Sequence, residues 1–144
     1  MSLLDSMKIT GSALTAERFR MDVVLQNLAN ISTTRTQDGG PYRRRQVVFQ
    51  ERDVNFADTL HSASQRVSGG GVRVATIVES QADLLPVYDP THPDANEDGY
   101  VMYPNVNATE ERIDLLAASN AYEANLTALG IVKSLALKAL EIGK

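Results

Sequence analysis

Apolar residues recur every three or four positions at both ends of the chain and lose that rhythm between them. Met7, Leu14, Met21 and Leu28 stand seven apart, with Leu4, Val24, Leu25 and Ile31 three or four residues away from them. The pattern predicts a helix over about residues 2–31 with one apolar face suited to a coiled-coil-like seam. Ser2 and Asp5 can satisfy free amides of its first turn. Gly11 and Arg18 interrupt the second seam position, so this is not an ideal two-stranded zipper. An amphipathic helix packed on its own domain would show the same stripe.

A second helix is predicted from about Asn107 to Ile142, and it changes the picture. Leu115, Tyr122, Leu129 and Ala136 form one seven-residue ladder, and Leu126 and Leu140 extend another stripe. Ile113, Leu116, Ile131, Val132, Leu135 and Leu137 fall elsewhere around the helix. A helix that is apolar on more than one face needs cover on more than one face. Small residues, among them Ala117, Ala118, Ala121 and Ala128, allow close backbone approach. Its length would be about 54 Å, against about 30–35 Å for a compact domain of this size. Other subunits are therefore the expected cover. Candidate assembly-interface residues are Leu14, Met21, Leu28, Leu115, Tyr122, Leu126, Leu129 and Leu140. A membrane span fails on charge, because Glu123, Lys133 and Lys138 bound or follow the uncharged run Ala124–Val132, and a span needs about 20 mostly apolar residues. Asn107 and Glu110 resemble a capping box, acids gather at the start of this helix, and Lys133, Lys138 and Lys144 lie towards its end.

The middle has a different grammar. Asp38-Gly39-Gly40-Pro41 signals a turn. Arg45–Phe49 reads as a strand, residues 50–68 are ambiguous, and 58–65 fit a short helix or disorder. Ser68-Gly69-Gly70-Gly71 is a flexible joint without the Gly-Lys-Ser/Thr of a phosphate loop. Val72–Glu79 has the clearest strand pattern, Leu84–Tyr88 is a candidate to pair with it, 89–99 is a loop, and Tyr100–Tyr103 is a last short strand. The expected fold is mainly α with a small β insertion: an N-terminal helix over 1–33, a β-containing middle over 34–106, and a C-terminal helix over 107–144.

Composition narrows the chemistry. A net charge of −4 over 144 residues argues against nucleic acid as a partner, and Arg43-Arg44-Arg45 is the only basic cluster. Such triplets usually make solvated faces or local ion pairs. No cysteine is present, which rules out disulfides and thiolate metal sites. Charges throughout residues 1–30 leave no apolar signal-peptide core, so any passage out of the cytoplasm is expected by another route. Asp94, Asn96, Asp98 and Gly99 spell the opening of a calcium loop. Asn105 then stands where the closing glutamate belongs, after Pro104, and an Asx-turn loop explains the same residues. A calcium-dependent binding module built on 94–99 is the alternative function. His61 and His92 lie in no metal or nucleophile motif, so a hydrolase has no support and no cofactor is expected.

Asn27-Leu28-Ala29-Asn30-Ile31-Ser32-Thr33-Thr34 resembles the N-terminal motif of bacterial flagellar rod and hook proteins. Ala118-Ser119-Asn120-Ala121-Tyr122-Glu123-Ala124-Asn125 resembles their C-terminal motif, and Ala139-Leu140-Glu141-Ile142-Gly143 its tail. The stretches 34–44, 88–96, 99–101 and 104–107 look like those of proximal-rod proteins, although Asn120 replaces a common arginine and Gln37 a common proline. The resemblance implies a non-enzymatic structural subunit whose terminal helices line the export channel. Its implied partners are copies of itself and other rod proteins, at the base of the rod near the membrane ring and the export apparatus. It also implies type III export without a cleaved signal.

Overall fold

The computed structural model describes residues 3–37, 39–52 and 70–142. The expected cap at Ser2, the 58–65 segment, His61, the Ser68-Gly69 half of the joint, Asp38 and Lys144 lie outside them. Helix α1 spans Leu3–Ala29 and helix α2 spans Ala108–Ile142. Between them lie strands β1 (Arg45–Glu51), β2 (Val72–Glu79), β3 (Leu85–Tyr88) and β4 (Tyr100–Tyr103). This is the expected mainly helical fold with a small β insertion.

The end of α1 and the start of α2 have local causes. Asn30 closes α1: its Nδ2 donates to Gln26 O at 2.8 Å, its Oδ1 accepts from Thr33 Oγ1 at 3.1 Å, and its carbonyl accepts from Thr33 N at 3.1 Å. Asn107 opens α2 as an N-cap, its Oδ1 accepting from Thr109 N at 2.9 Å. Glu110 reaches the Asn107 side-chain amide at 3.4 Å, so the capping box forms in a variant way. The last turn of α2 holds no basic residue.

Strands β1 and β2 form one two-stranded sheet, and β3 and β4 another. The second pair is antiparallel, with Leu85 opposite Tyr103 and Tyr88 opposite Tyr100. The suggested pairing of Leu84–Tyr88 with β2 is therefore corrected: its partner is the last strand. The loop decides this. Asn96 Oδ1 accepts from Asp98 N at 3.1 Å and Tyr100 N at 2.8 Å, and Gly99 takes φ +79°, turning the chain back onto β3. The turn read at Gly39-Gly40 is real, with φ of +82° and +93°.

The chain divides into two compact units. The first comprises Met1–Phe19, Val48–Thr76 and Ala117–Lys144. Here Ala16 is buried, and the start of β2 lies hard against α1: Val72 N donates to Ser12 Oγ at 3.0 Å. Gly71 has φ +122°, and a Cβ on it would meet Ser12 Oγ at 2.8 Å. Gly71→Ala is expected to cost about 1–3 kcal/mol from backbone strain and this contact. A thermal melt unchanged from wild type would show that β2 does not dock on α1 there.

The second unit comprises Arg20–Val47 and Ile77–Leu116. Its apolar core is Val23, Val24, Tyr42, Val101 and Val106, and with them are buried two polar side chains, Asn27 and Glu111.

Candidate assembly interface

The seam of α2 is visible in its burial. Glu111, Leu115, Ala118, Tyr122, Asn125, Leu129, Val132 and Ala136 follow one another by alternate steps of four and three, and none of them is exposed. That spacing is the coiled-coil repeat. The other faces are bare: Ile113, Leu116, Leu126, Ile131, Leu135, Leu137 and Leu140 are each at least 52 % exposed. Of the candidate interface residues, Leu14, Met21, Leu28, Leu115, Tyr122 and Leu129 are half-buried. Leu126 and Leu140 are exposed, at 52 % and 70 %.

Sequence periodicity missed the polar centre of the second unit. Asn27, 1 % exposed, uses its whole amide. Nδ2 donates to Arg45 O at 2.8 Å and to Glu111 Oε2 at 2.9 Å, while Oδ1 accepts from Tyr42 OH at 2.8 Å and Arg45 N at 3.0 Å. The other oxygen of Glu111 accepts from Arg44 Nε, and Arg44 Nη2 donates to Asp114 Oδ2 at 3.0 Å. Arg20 lies 3.6 Å from the second Asp114 oxygen. Asn105 Oδ1 accepts from Arg44 N at 2.8 Å, so two asparagine side chains hold the backbone at the entrance to β1. A fully buried carboxylate is tolerable only with this degree of pairing. Burial raises the Tyr42 hydroxyl above its ordinary range, against the opposing pull of Arg45, whose guanidinium sits 5.5 Å over the ring.

The basic triplet is thus a set of local partners. Arg44 serves α2, Arg45 pairs with Glu79 at 3.0 Å, and Arg43 donates to Ser80 O at 3.1 Å. One signal for the polar centre was present in the sequence: Glu111 occupies a seam position, four residues before Leu115, where an apolar residue is the rule.

Several side-chain oxygens of the 89–99 loop accept from protein donors, both within the loop and from Thr34 and Tyr100 outside it. Asn96 caps two amides as described, and Asp94 Oδ2 accepts from Thr34 Oγ1 at 2.9 Å. Asp89 Oδ1 accepts from Thr91 Oγ1 at 2.7 Å and Thr91 N at 3.1 Å, and these bonds, the hydroxyl's first, hold its carboxyl below the ordinary aspartate range. His92 Nδ1 accepts from Asp94 N at 3.1 Å. The bonds of Asp89 and Asn96 to the amide two residues on are Asx-turn geometry. Among the described residues, no group of three or more acids or histidines is placed to hold a metal, and no helix is long and apolar enough to cross a membrane.

Residues 97–142 match the family described as flagellar basal body rod FlgEFG protein C-terminal. Over its full length the chain is 45 % identical to the flagellar basal-body rod protein FlgC of Bacillus subtilis, which is likewise covered in full. Identity to FlgC of Escherichia coli O157:H7 is 44 %, again with both chains covered completely. Identity to FlgC of Borreliella burgdorferi is 43 %, over 99 % of this chain and 98 % of that one. The chain belongs to the FlgC family of flagellar basal-body rod proteins, structural components of the basal body and not enzymes.

Proposed function

We propose that the terminal helices of this rod subunit join those of neighbouring copies in a helically arranged inner layer of coiled-coil-like seams. In this reading the layer walls the export channel and forms part of the drive shaft. Residues 1–33 and 107–144 make the layer, and residues 34–106 make the outer, β-containing part. The observation that carries the reading is α2, whose seam is buried or half-buried while large aliphatic side chains stand bare on its other faces. Monomeric proteins rarely leave contiguous aliphatic surface of that kind uncovered. The partners are copies of the same chain and other rod proteins, near the membrane ring and the export apparatus. The location is the periplasmic rod, reached by type III export, as family membership supports.

The test uses the absence of native cysteine. Single substitutions Leu126→Cys and Leu140→Cys are expected to give cross-links to neighbouring subunits in isolated basal bodies and none in dilute monomer. Failure at both positions in assembled rods would sink the helix-layer reading.

A further inference from the structure

We propose that Asn27 and Glu111 set the register between the two terminal helices. A heptad seam is nearly degenerate. Leu115, Tyr122, Leu129 and Ala136 repeat every seven residues, so a slip of one heptad, about 10.5 Å at about 1.5 Å per residue, puts one half-buried apolar residue where another stood. Apolar packing alone discriminates weakly among such alignments. A buried polar pair discriminates sharply, because only one alignment lets both members meet.

Asn27 and Glu111 are 84 residues apart in the chain and meet across the helices at 2.9 Å. In a slipped alignment the Asn27 amide hydrogen and one Glu111 oxygen would each lose this partner inside the core. The pair is also anchored to a common reference. Asn27 is tied to Tyr42 and to both backbone groups of Arg45, and Glu111 is tied to Arg44. The segment 42–45 therefore holds α1 on one side and α2 on the other. Asn125, the other polar residue of the α2 seam, donates at 2.9 Å to Ala121 O of its own helix.

The consequence for assembly rests on the helix-layer reading: a slipped subunit would present its exposed rows about 10.5 Å out of place to every neighbour. The register itself belongs to the single chain and is measured there. Nitroxide labels at Asp22→Cys and Arg112→Cys, both exposed and on a cysteine-free background, report the alignment of the helices by pulsed electron resonance. The otherwise unchanged chain is expected to give one distance population. Glu111→Leu places an apolar residue in the seam. It leaves Asn27 its bonds to Arg45 and Tyr42, and Arg44 its bond to Asp114. This variant is expected to stay folded and to show a second population, with incorporation into rods falling at least about tenfold. Glu111→Gln keeps an acceptor for Asn27 and should return to one population. Leu115→Ala, a purely apolar truncation in the same seam, should lower the melting temperature without adding a population.

A single population in Glu111→Leu would overturn the proposal. So would equal splitting in Leu115→Ala, or loss of the fold in Glu111→Leu, since Glu111 would then hold the fold rather than choose among alignments. Split distances together with normal rods would support the register role and count against the helix-layer reading instead.

Discussion

Leu129→Lys is expected to abolish incorporation into the rod while expression and export persist. Leu129 stands one heptad after Tyr122 and one before Ala136, half-buried on the seam of α2. In the isolated subunit a lysine there can lay its methylene stem along the seam and lift its ammonium into water, so the monomer should change little. In the proposed layer a neighbouring copy closes that escape, and the charge becomes buried without a partner, at about 3–5 kcal/mol per subunit. Every copy in the rod would bear the same cost. Lys138→Ala, at an exposed position on the same helix, should stay within about 0.5 kcal/mol and leave assembly intact. Motility and the yield of rod-containing basal bodies measure both variants. Normal swimming of the Leu129→Lys strain would mean that α2 is not enclosed by its neighbours.

The two helices were legible in the sequence because their signal is local and long. The end of α1 and the start of α2 came out within a residue or two, since Asn30 and Asn107 act on their own neighbourhood. Strand β2 was legible in full. The partner of β3 was not, because pairing depends on how the 89–99 loop closes. The residues that close it, Asn96 and Gly99, also fit the opening of a calcium loop. Which apolar stripe of α2 is bare was also hidden. A straight helix drifts by about 20° per heptad against a seven-residue repeat, so Leu115 and Leu140 can look alike on paper. In the structure Leu115 is half-buried and Leu140 is 70 % exposed. Least legible was the contact between Asn27 and Glu111, since no periodicity links residues 84 apart. Asn27 sat in plain view inside the flagellar motif, with nothing in the sequence to say that its amide joins two helices and a strand.

Asn27→Ala is expected to be the most destabilising single change in the second unit. It deletes four hydrogen bonds and leaves four buried or part-buried groups short of a partner: Tyr42 OH, Arg45 N–H, Arg45 C=O and Glu111 Oε2. An orphaned group of this kind costs about 1–3 kcal/mol, and partial relaxation or water entry would bring the total to about 3–5 kcal/mol. For a chain of this size that corresponds to a fall of roughly 10–15 °C in melting temperature. Asn30→Ala is the matched control. It loses an exposed bond to Gln26 O and a part-buried one from Thr33 Oγ1, which leaves no fully buried group without a partner, so the loss should be about 1 kcal/mol. Asn27→Asp separates hydrogen bonding from volume. The introduced carboxyl keeps an acceptor for Tyr42 and Arg45 N–H, but it loses both donors and faces the Glu111 carboxylate. Like charge and burial raise the introduced group's pKa in the folded state above its unfolded value. Its penalty is therefore full at neutral pH and is relieved as pH falls through that raised pKa, where the protonated oxygen can again donate to Glu111. Thermal melts of Asn27→Asp across a pH series should show stability rising on mild acidification. A flat or falling profile would mean that Asn27 and Glu111 do not share a buried hydrogen bond in solution.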